Sequence, residues 1–248
     1  MRKNIQVIYE DQDLAVCHKA AGIPVQTSRA GQQDLVSLLR NYYAERGENT
    51  RVYVVHRLDQ PVEGLMVFAR NKQAAADLSS QSREKRMNKC YMALAEGRFQ
   101  DSSGILENDL LRDGKSNTSR VVPQGTPGAK RAKLFYEVIE VWQRNQALTE
   151  EPDSGLSGMQ QQGRRIFSAY WKMQRENDVS LLEIKLETGR HHQIRVQMAY
   201  AGHPLAGDKK YNPNCLCGYL PVALCSVKLA FSHPKDGRTM EFDLRNSV

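Results

Sequence analysis

Val55-His56-Arg57-Leu58-Asp59-Gln60-Pro61-Val62-Glu63-Gly64-Leu65 sets a carboxylate and two basic side chains in a Pro/Gly turn between two apolar runs, Val52 to Val55 and Leu65 to Ala69. Runs this short, bounded by turn residues, read as buried strands. A carboxylate on a rigid strand-to-turn edge is well placed to act as nucleophile or base. Taken alone, an Asp beside an Arg at a turn is more often a local ion pair or turn cap, so the meaning of Asp59 depends on the rest of the chain.

Toward the amino terminus, Ile5, Val7 and Tyr9 alternate, and Leu14 to Cys17 follows an Asp-rich turn, the pattern of a β-hairpin. Gln33 to Tyr43 carries a helical stripe of Leu35, Val36, Leu38, Leu39 and Tyr42 that ends near Gly47. Toward the carboxyl terminus, Asn71 is a good N-cap for a helix running to about Arg86, with Arg83, Lys85 and Arg86 on its polar face. Cys90 to Ala95 and Lys133 to Trp142 read as strands, and Gly125-Thr126-Pro127-Gly128 as a loop. Thr149 to Gln162, with Pro152, Gly155 and Gly158, reads as a long surface hairpin loop rather than a domain boundary. Ser180 to Leu186 alternates as a strand, Thr188-Gly189 breaks it, and Arg190 to Tyr200 reads as a helix closed by Gly202 and Pro204. Val227 to Phe231 and Thr239 to Leu244 complete the strands. The expectation is one α+β domain over residues 1–248, a mixed, largely antiparallel β-sheet with flanking helices and no internal repeat.

The bulk composition agrees with such a body. Of 248 residues, 40% are hydrophobic and 25% charged, ordinary globular values that argue against long disorder. The formal charge of +7 is the bias that a phosphate-binding face leaves. Met1-Arg2-Lys3 is followed by Ile5-Gln6-Val7-Ile8-Tyr9-Glu10-Asp11 rather than the apolar run of a signal peptide, and no stretch is long enough to span a bilayer. Cys17, Cys90, Cys215, Cys217 and Cys225 are odd in number and lack CxxC spacing, so neither a disulfide framework nor a zinc site is expected, and Cys215-x-Cys217 reads as loop thiols. A reduced, cytoplasmic protein is the reading.

A second polar cluster is Thr188-Gly189-Arg190-His191-His192-Gln193-Ile194-Arg195-Val196-Gln197-Met198, followed by Gly202-His203-Pro204-Leu205-Ala206-Gly207-Asp208. A helix rich in donors at its amino-terminal half suits an anionic ligand. Adjacent histidines do not give the i, i+4 pair of a helical zinc site, so no metal is expected.

Five elements in register, His56-Arg57-Leu58-Asp59 with Gly64-Leu65, Lys89-Cys90-Tyr91-Met92-Ala93, Gly189 to Val196, Gly202 to Tyr211 and Leu229 to Pro234, resemble the RluA family of pseudouridine synthases across nearly the whole chain. The resemblance implies the pseudouridine synthase fold with a central active-site cleft and no metal or organic cofactor. It implies that Asp59 is the catalytic aspartate, Tyr91 the active-site tyrosine and Arg195 the arginine paired with the aspartate. It also implies an RNA partner, with Arg57 filling the space left by a flipped base or gripping its phosphate. His56, Arg190, His192, Lys85, Arg86, Lys209 and Lys210 are further candidates for RNA contact. The chain opens almost directly on catalytic-domain strands, so a separate S4-type RNA-binding domain is not expected. Glu63 stands where the family usually has serine or threonine. His191 replaces a usual threonine or serine, Gln197 a usual histidine, and Cys225-Ser226 a usual His-Ala.

Pseudouridine formation breaks the N1 to C1′ bond, turns the uracil and joins C5 to C1′, so a carboxylate is needed beside the sugar and ring. Asp59 can attack C6 or C1′, or help remove the 2′ proton; the sequence leaves the three open. Arg195 offers a planar fork that would keep Asp59 ionised and aimed. Tyr91 offers a flat ring for the detached uracil and a hydroxyl to help move the C5 proton. The alternative from another class is a catalytically silent RNA-binding or RNA-folding factor on the same fold, against which the intact trio argues. A hydrolase would want a second acid or base, a metal cluster or a phosphate loop, and none is found. Ribosomal and transfer RNA are both admissible substrates, and a monomer is expected.

Overall fold

A computed structural model describes residues 5–29, 31–143, 157–171, 177–213, 215 and 219–245. In chain order the elements are β1 (Gln6–Glu10), β2 (Leu14–Lys19), α1 (Leu35–Glu45), β3 (Tyr53–Val54), β4 (Glu63–Ala69), α2 (Lys72–Arg83), β5 (Asn88–Glu96), β6 (Ser103–Asp113), β7 (Thr118–Val122) and β8 (Lys130–Trp142). There follow α3 (Gly158–Ile166), α4 (Ser168–Trp171), β9 (Val179–Leu186), α5 (Gln193–Tyr200), β10 (Leu224–Ser232) and β11 (Thr239–Asp243). The chain divides into two compact units, Met1–Lys89 with Ser226–Val248, and Cys90–Cys225.

In the first unit β2 lies antiparallel between β1 and β4, with Leu14 opposite Ala69 and Lys19 opposite Gly64. β3 caps the far end of β4, and β11 pairs antiparallel with β10, which neighbours β4. The inward side chains Leu14, Val16, Leu65, Val67, Leu229 and Phe231 meet Ala74 and Leu78 of α2 in one buried cluster. Each such aliphatic or aromatic side chain contributes about 1.5–3 kcal/mol by leaving water. α2 starts where the sequence places it, since the Asn71 side chain accepts from the Ala74 N–H. Gly64 is required by two features at once. Its φ is +122°, and a Cβ there would collide with the backbone of Ser226 on β10.

The second unit is an antiparallel sheet in the order β5-β9-β8-β6-β7. Tyr91 stands opposite Ile184, Val138 opposite Leu182, and Leu110 opposite both Lys130 and Val121. Leu94, Leu134, Trp142, Leu181 and Ile184 are fully buried in it.

Two expectations are corrected. The polar stretch Thr149 to Gln162 is not all loop: residues 149–156 lie outside the described ones, but Ser157 and Gln160 form a capping box that starts α3 at Gly158. Gly163 of this helix sits where a Cβ would strike Leu181, which lets α3 lie close against β9. The helix expected from Arg190 starts at Gln193 instead, because His192 adopts the left-handed conformation with φ +55°. Arg190 and His191 therefore precede the helix rather than supply its first turn.

Candidate active site

Asp59 lies in the turn between β3 and β4, flanked by Leu58 and Val62, which are buried and anchor the turn to the core. Its backbone carbonyl accepts from the Val62 N–H at 3.1 Å. The turn is fastened to the segment after β2: Gly22 N–H donates to Gln60 O at 2.8 Å, and Gln60 Nε2 donates to Gly22 O at 3.1 Å.

Beneath this turn is a residue that the sequence reading passed over. Lys19 is fully buried, and its Nζ donates to three backbone carbonyls, Val62 O at 2.5 Å, Gln60 O at 3.0 Å and Ala20 O at 3.2 Å. Two of the three belong to residues within three positions of Asp59. Burial pushes the Lys19 ammonium down to about 8, against which the carboxylates of Asp59 and Glu63 act favourably. The one hint in the sequence is periodicity, since Ala15, Cys17 and Lys19 share the face of β2 opposite Leu14 and Val16, and that face is buried too. The departure at Glu63 thus places a second negative charge in the field of this buried cation.

His56 and Arg57 precede Asp59 and point to different fates. Arg57 is exposed. His56 accepts the Val67 N–H through Nε2 at 3.2 Å, which places its proton on Nδ1, a buried atom without a hydrogen-bond partner. Burial, and then the charge of Lys89, hold this imidazole well below its ordinary value, so it is neutral. Burial also brings the Lys89 ammonium down to about 8.

In the second unit Tyr91 is a buried residue of β5. Arg195 lies in the first turn of α5 and is 4% exposed, a cation that cannot be left in such a place without an acceptor. Its acceptor is Asp208, fully buried, whose Oδ2 and Oδ1 take bonds from Arg195 Nε and Nη2 at 2.7 Å each. Asp208 Oδ1 also accepts from the Lys210 and Tyr211 N–H groups, closing the turn that follows. The guanidinium lies over the Tyr211 ring at 5.2 Å. The fork of Arg195, expected to face Asp59, is held along its Nε–Nη2 edge by Asp208, which stands in the second polar cluster of the sequence and was given no role there.

The other candidates separate by exposure. Arg190, Lys85, Arg86, Lys209 and Lys210 are exposed, whereas His192 is buried and its Nδ1 lies 2.8 Å from the Tyr211 hydroxyl. Arg190 Nε donates to Arg131 O, Arg86 pairs with Glu84, and Lys210 Nζ donates to Ser116 O and Asn117 O at the tip of the β6–β7 hairpin. That hairpin adds exposed cations not singled out before, Arg112, Lys115 and Arg120. The replaced residues Gln197 and His191 serve packing: Gln197 Nε2 reaches Leu106 O and Asn108 Oδ1, and His191 Nδ1 lies 2.9 Å from Ser119 Oγ.

Among the described residues, Asp11, Asp13 and His233 bring three possible metal ligands together. Their atoms are already engaged. Asp11 accepts from the Tyr9 hydroxyl, His233 Nε2 and the Asp13 and Leu14 N–H groups, while Asp13 accepts from Asn71. Burial raises the Asp11 carboxyl, but these donors outweigh it and bring it to about 2. Cys17, Cys90, Cys215 and Cys225 form no disulfide among the described residues, and Cys217 lies outside them. No helix among the described residues is long and apolar enough to cross a membrane.

Comparison with known proteins places this geometry in context. A profile of the RNA pseudouridylate synthase family matches residues 13–200. An uncharacterised RNA pseudouridine synthase of Bacillus subtilis is 31% identical over 244 residues, 97% of this chain and 68% of the relative. Ribosomal large subunit pseudouridine synthase C of Haemophilus influenzae is 28% identical over 96% of this chain and 64% of its own length. The corresponding synthase D of Neisseria meningitidis is 30% identical over 96% and 57%. The chain thus spans between about half and two thirds of the length of these relatives. The solved structure of human RNA pseudouridylate synthase domain containing 1 superposes with a TM-score of 0.69 at 21% identity, over 97% of this chain and 83% of that one. The human domain containing 4 gives 0.66 at 19%, over 96% and 87%. These two show the fold, a mixed, largely antiparallel sheet with few helices. From the profile and the identities together, the chain belongs to the RNA pseudouridylate synthase family.

Proposed function

We propose that this protein isomerises uridine in RNA to pseudouridine, with Asp59 as the carboxylate that engages the reacting nucleoside. The observation that carries the reading is the way Asp59 is presented. It sits on a turn clamped from below by a buried ammonium, so that a reactive carboxylate is held by the scaffold and not by a flexible loop. Family membership supplies the reaction class, and a clamped carboxylate is what that reaction requires.

In this reading Arg195 is the charge partner of the reacting carboxylate, oriented through the bond of its Nε–Nη2 edge to Asp208. A pre-oriented cation needs no reorganisation as charge develops. Tyr91 supplies a ring for the detached uracil and a hydroxyl for proton movement at C5. The exposed Arg57, Arg190, Lys85, Arg86, Lys209 and Lys210 hold phosphates, and this phosphate term offsets the few kcal/mol that flipping a stacked uridine costs. His56, neutral and turned to the β4 backbone, shapes the turn that carries Asp59. The substrate is a structured RNA, ribosomal in the nearest reading because two of the relatives named above are ribosomal large subunit synthases.

The test is release of tritium from unmodified ribosomal RNA labelled at uracil C5, in the presence of a chelator and without added cofactor. Release in step with pseudouridine appearing in the product is the expected result. RNA binding without release would instead support the silent RNA-binding reading.

A further inference from the structure

Tyr211 makes more contacts of consequence than any packing role needs. Its ring lies under the Arg195 guanidinium at 5.2 Å and packs on the cluster of Leu110, Ala132 and Val196. Its hydroxyl accepts the Ser119 N–H of β7 at 2.8 Å and lies 2.8 Å from His192 Nδ1. With one lone pair given to Ser119, the hydroxyl can donate its proton to that nitrogen.

The two ends of the side chain act on different parts of the site. His192 is the residue in left-handed conformation before α5, a backbone state that persists only where neighbours impose it. It sets where the helix begins, three residues before Arg195, and it is also stacked on the His191 ring at 3.7 Å, so losing the Tyr211 hydroxyl alone leaves the helix start in place. The ring then adds a face for the guanidinium, an attraction that grows as water is excluded. On the other side, β7 is the last strand of its sheet, and Ser119 is the point at which Tyr211 and His191 tie it down. The hairpin that β7 closes carries the exposed Arg112, Lys115 and Arg120, and Lys210, next to Tyr211, bonds its tip.

We propose that Tyr211 is a positioning residue: its ring aligns Arg195 for reaction, and its hydroxyl docks the basic β6–β7 hairpin that grips RNA. The inference rests on the reading of Arg195 as the charge partner of the reacting carboxylate. It predicts that the two functions come apart by substitution. Tyr211→Phe keeps the ring and loses the hydroxyl, whereas Tyr211→Met fills the same apolar cluster with no aromatic face.

The experiment is single-turnover tritium release over a range of RNA concentrations, with thermal unfolding on the same preparations and Arg195→Lys in parallel. For Tyr211→Phe the saturating rate stays within about threefold, and the half-saturating RNA concentration rises about fivefold, the worth of one hydrogen bond. For Tyr211→Met the half-saturating concentration rises as in the Phe variant, and the saturating rate falls further, by roughly 30- to 100-fold, as expected for a misplaced catalytic group. Equal saturating rates in the Phe and Met variants, with a slow Arg195→Lys, refute the positioning role alone. Rates that track the melting temperature in both Tyr211 variants, and recover on cooling, reduce Tyr211 to packing and overturn the proposal. A fast Arg195→Lys removes the catalytic reading of Arg195 and this inference with it. Should Tyr211→Met not fold, Tyr211→Leu, a smaller apolar side chain that likewise lacks an aromatic face, takes its place with the same expected loss of saturating rate.

Discussion

The turn that carries Asp59 and the helix that carries Arg195 both rest on a buried charge, yet the charges are satisfied in different ways. Under Asp59 the Lys19 ammonium is surrounded by backbone carbonyls. Behind Arg195 a guanidinium meets a carboxylate edge to edge. Carbonyl dipoles solvate an ammonium incompletely, and burial duly brings Lys19 to about 8. A guanidinium keeps its proton at any accessible pH. The first arrangement thus gives up its charge as pH rises, and the second keeps it.

That contrast can be broken most forcefully at Asp208. Asp208→Asn leaves Arg195 as a buried cation facing a neutral amide, a loss of about 3–5 kcal/mol. For a chain of this size, that lowers the melting temperature by roughly 10 °C, and turnover falls with it because the guanidinium is no longer aimed. A shift under about 2 °C by calorimetry would mean that the pair contributes little to the fold.

The next effect is on pH dependence. Lys19 holds a folded value of about 8 against an ordinary 10.5. Below pH 8 it is charged in both states, and its burial cost is fully present. As pH rises from about 8 to 10.5 the folded form sheds its proton first, so the cost is relieved and this group's contribution to stability rises. Wild type should therefore gain on Lys19→Met over that window by on the order of 3 kcal/mol, read by denaturant unfolding at both ends. A flat difference would show that Lys19 titrates normally and is not enclosed.

The smallest effect sharpens the contrast at neutral pH. Lys19→Met removes the burial cost but strips a donor from Ala20 O and Val62 O, while Gln60 O keeps the Gly22 N–H. The two terms oppose, so unfolding free energy changes by less than about 2 kcal/mol. Turnover nonetheless falls about tenfold or more, since the turn loses its clamp. A fully active variant would show that the turn holds its shape unaided.

Much of this was legible from the sequence where local rules decide. Alternation in Ile5 to Cys17 gave the β1–β2 hairpin, Asn71 gave the start of α2, and the Pro/Gly turn isolated Asp59. What escaped depended on partners distant in the chain. β6 has a weak pattern, with Ile105 exposed and charges along its length, so no core-facing stripe announced the hairpin. His192 in the left-handed region broke a helix that periodicity alone extended to Arg190. Lys19 sat at a strand end, where a lysine usually reaches water, and only the fold shows it enclosed. The partner of Arg195 lies thirteen residues on, beyond a helix and a turn, where no spacing rule points to it.

The central claim is that Asp59 carries the chemistry while phosphate contacts carry the binding. Asp59→Asn keeps the size of the side chain and removes its charge and nucleophilicity. Single-turnover pseudouridine formation and RNA binding, measured on the same preparation, test it most directly. The account predicts a rate at least about 1,000-fold below wild type with affinity changed no more than about threefold. A variant that turns over at more than about a tenth of the wild-type rate would contradict it, and would move the reacting carboxylate elsewhere.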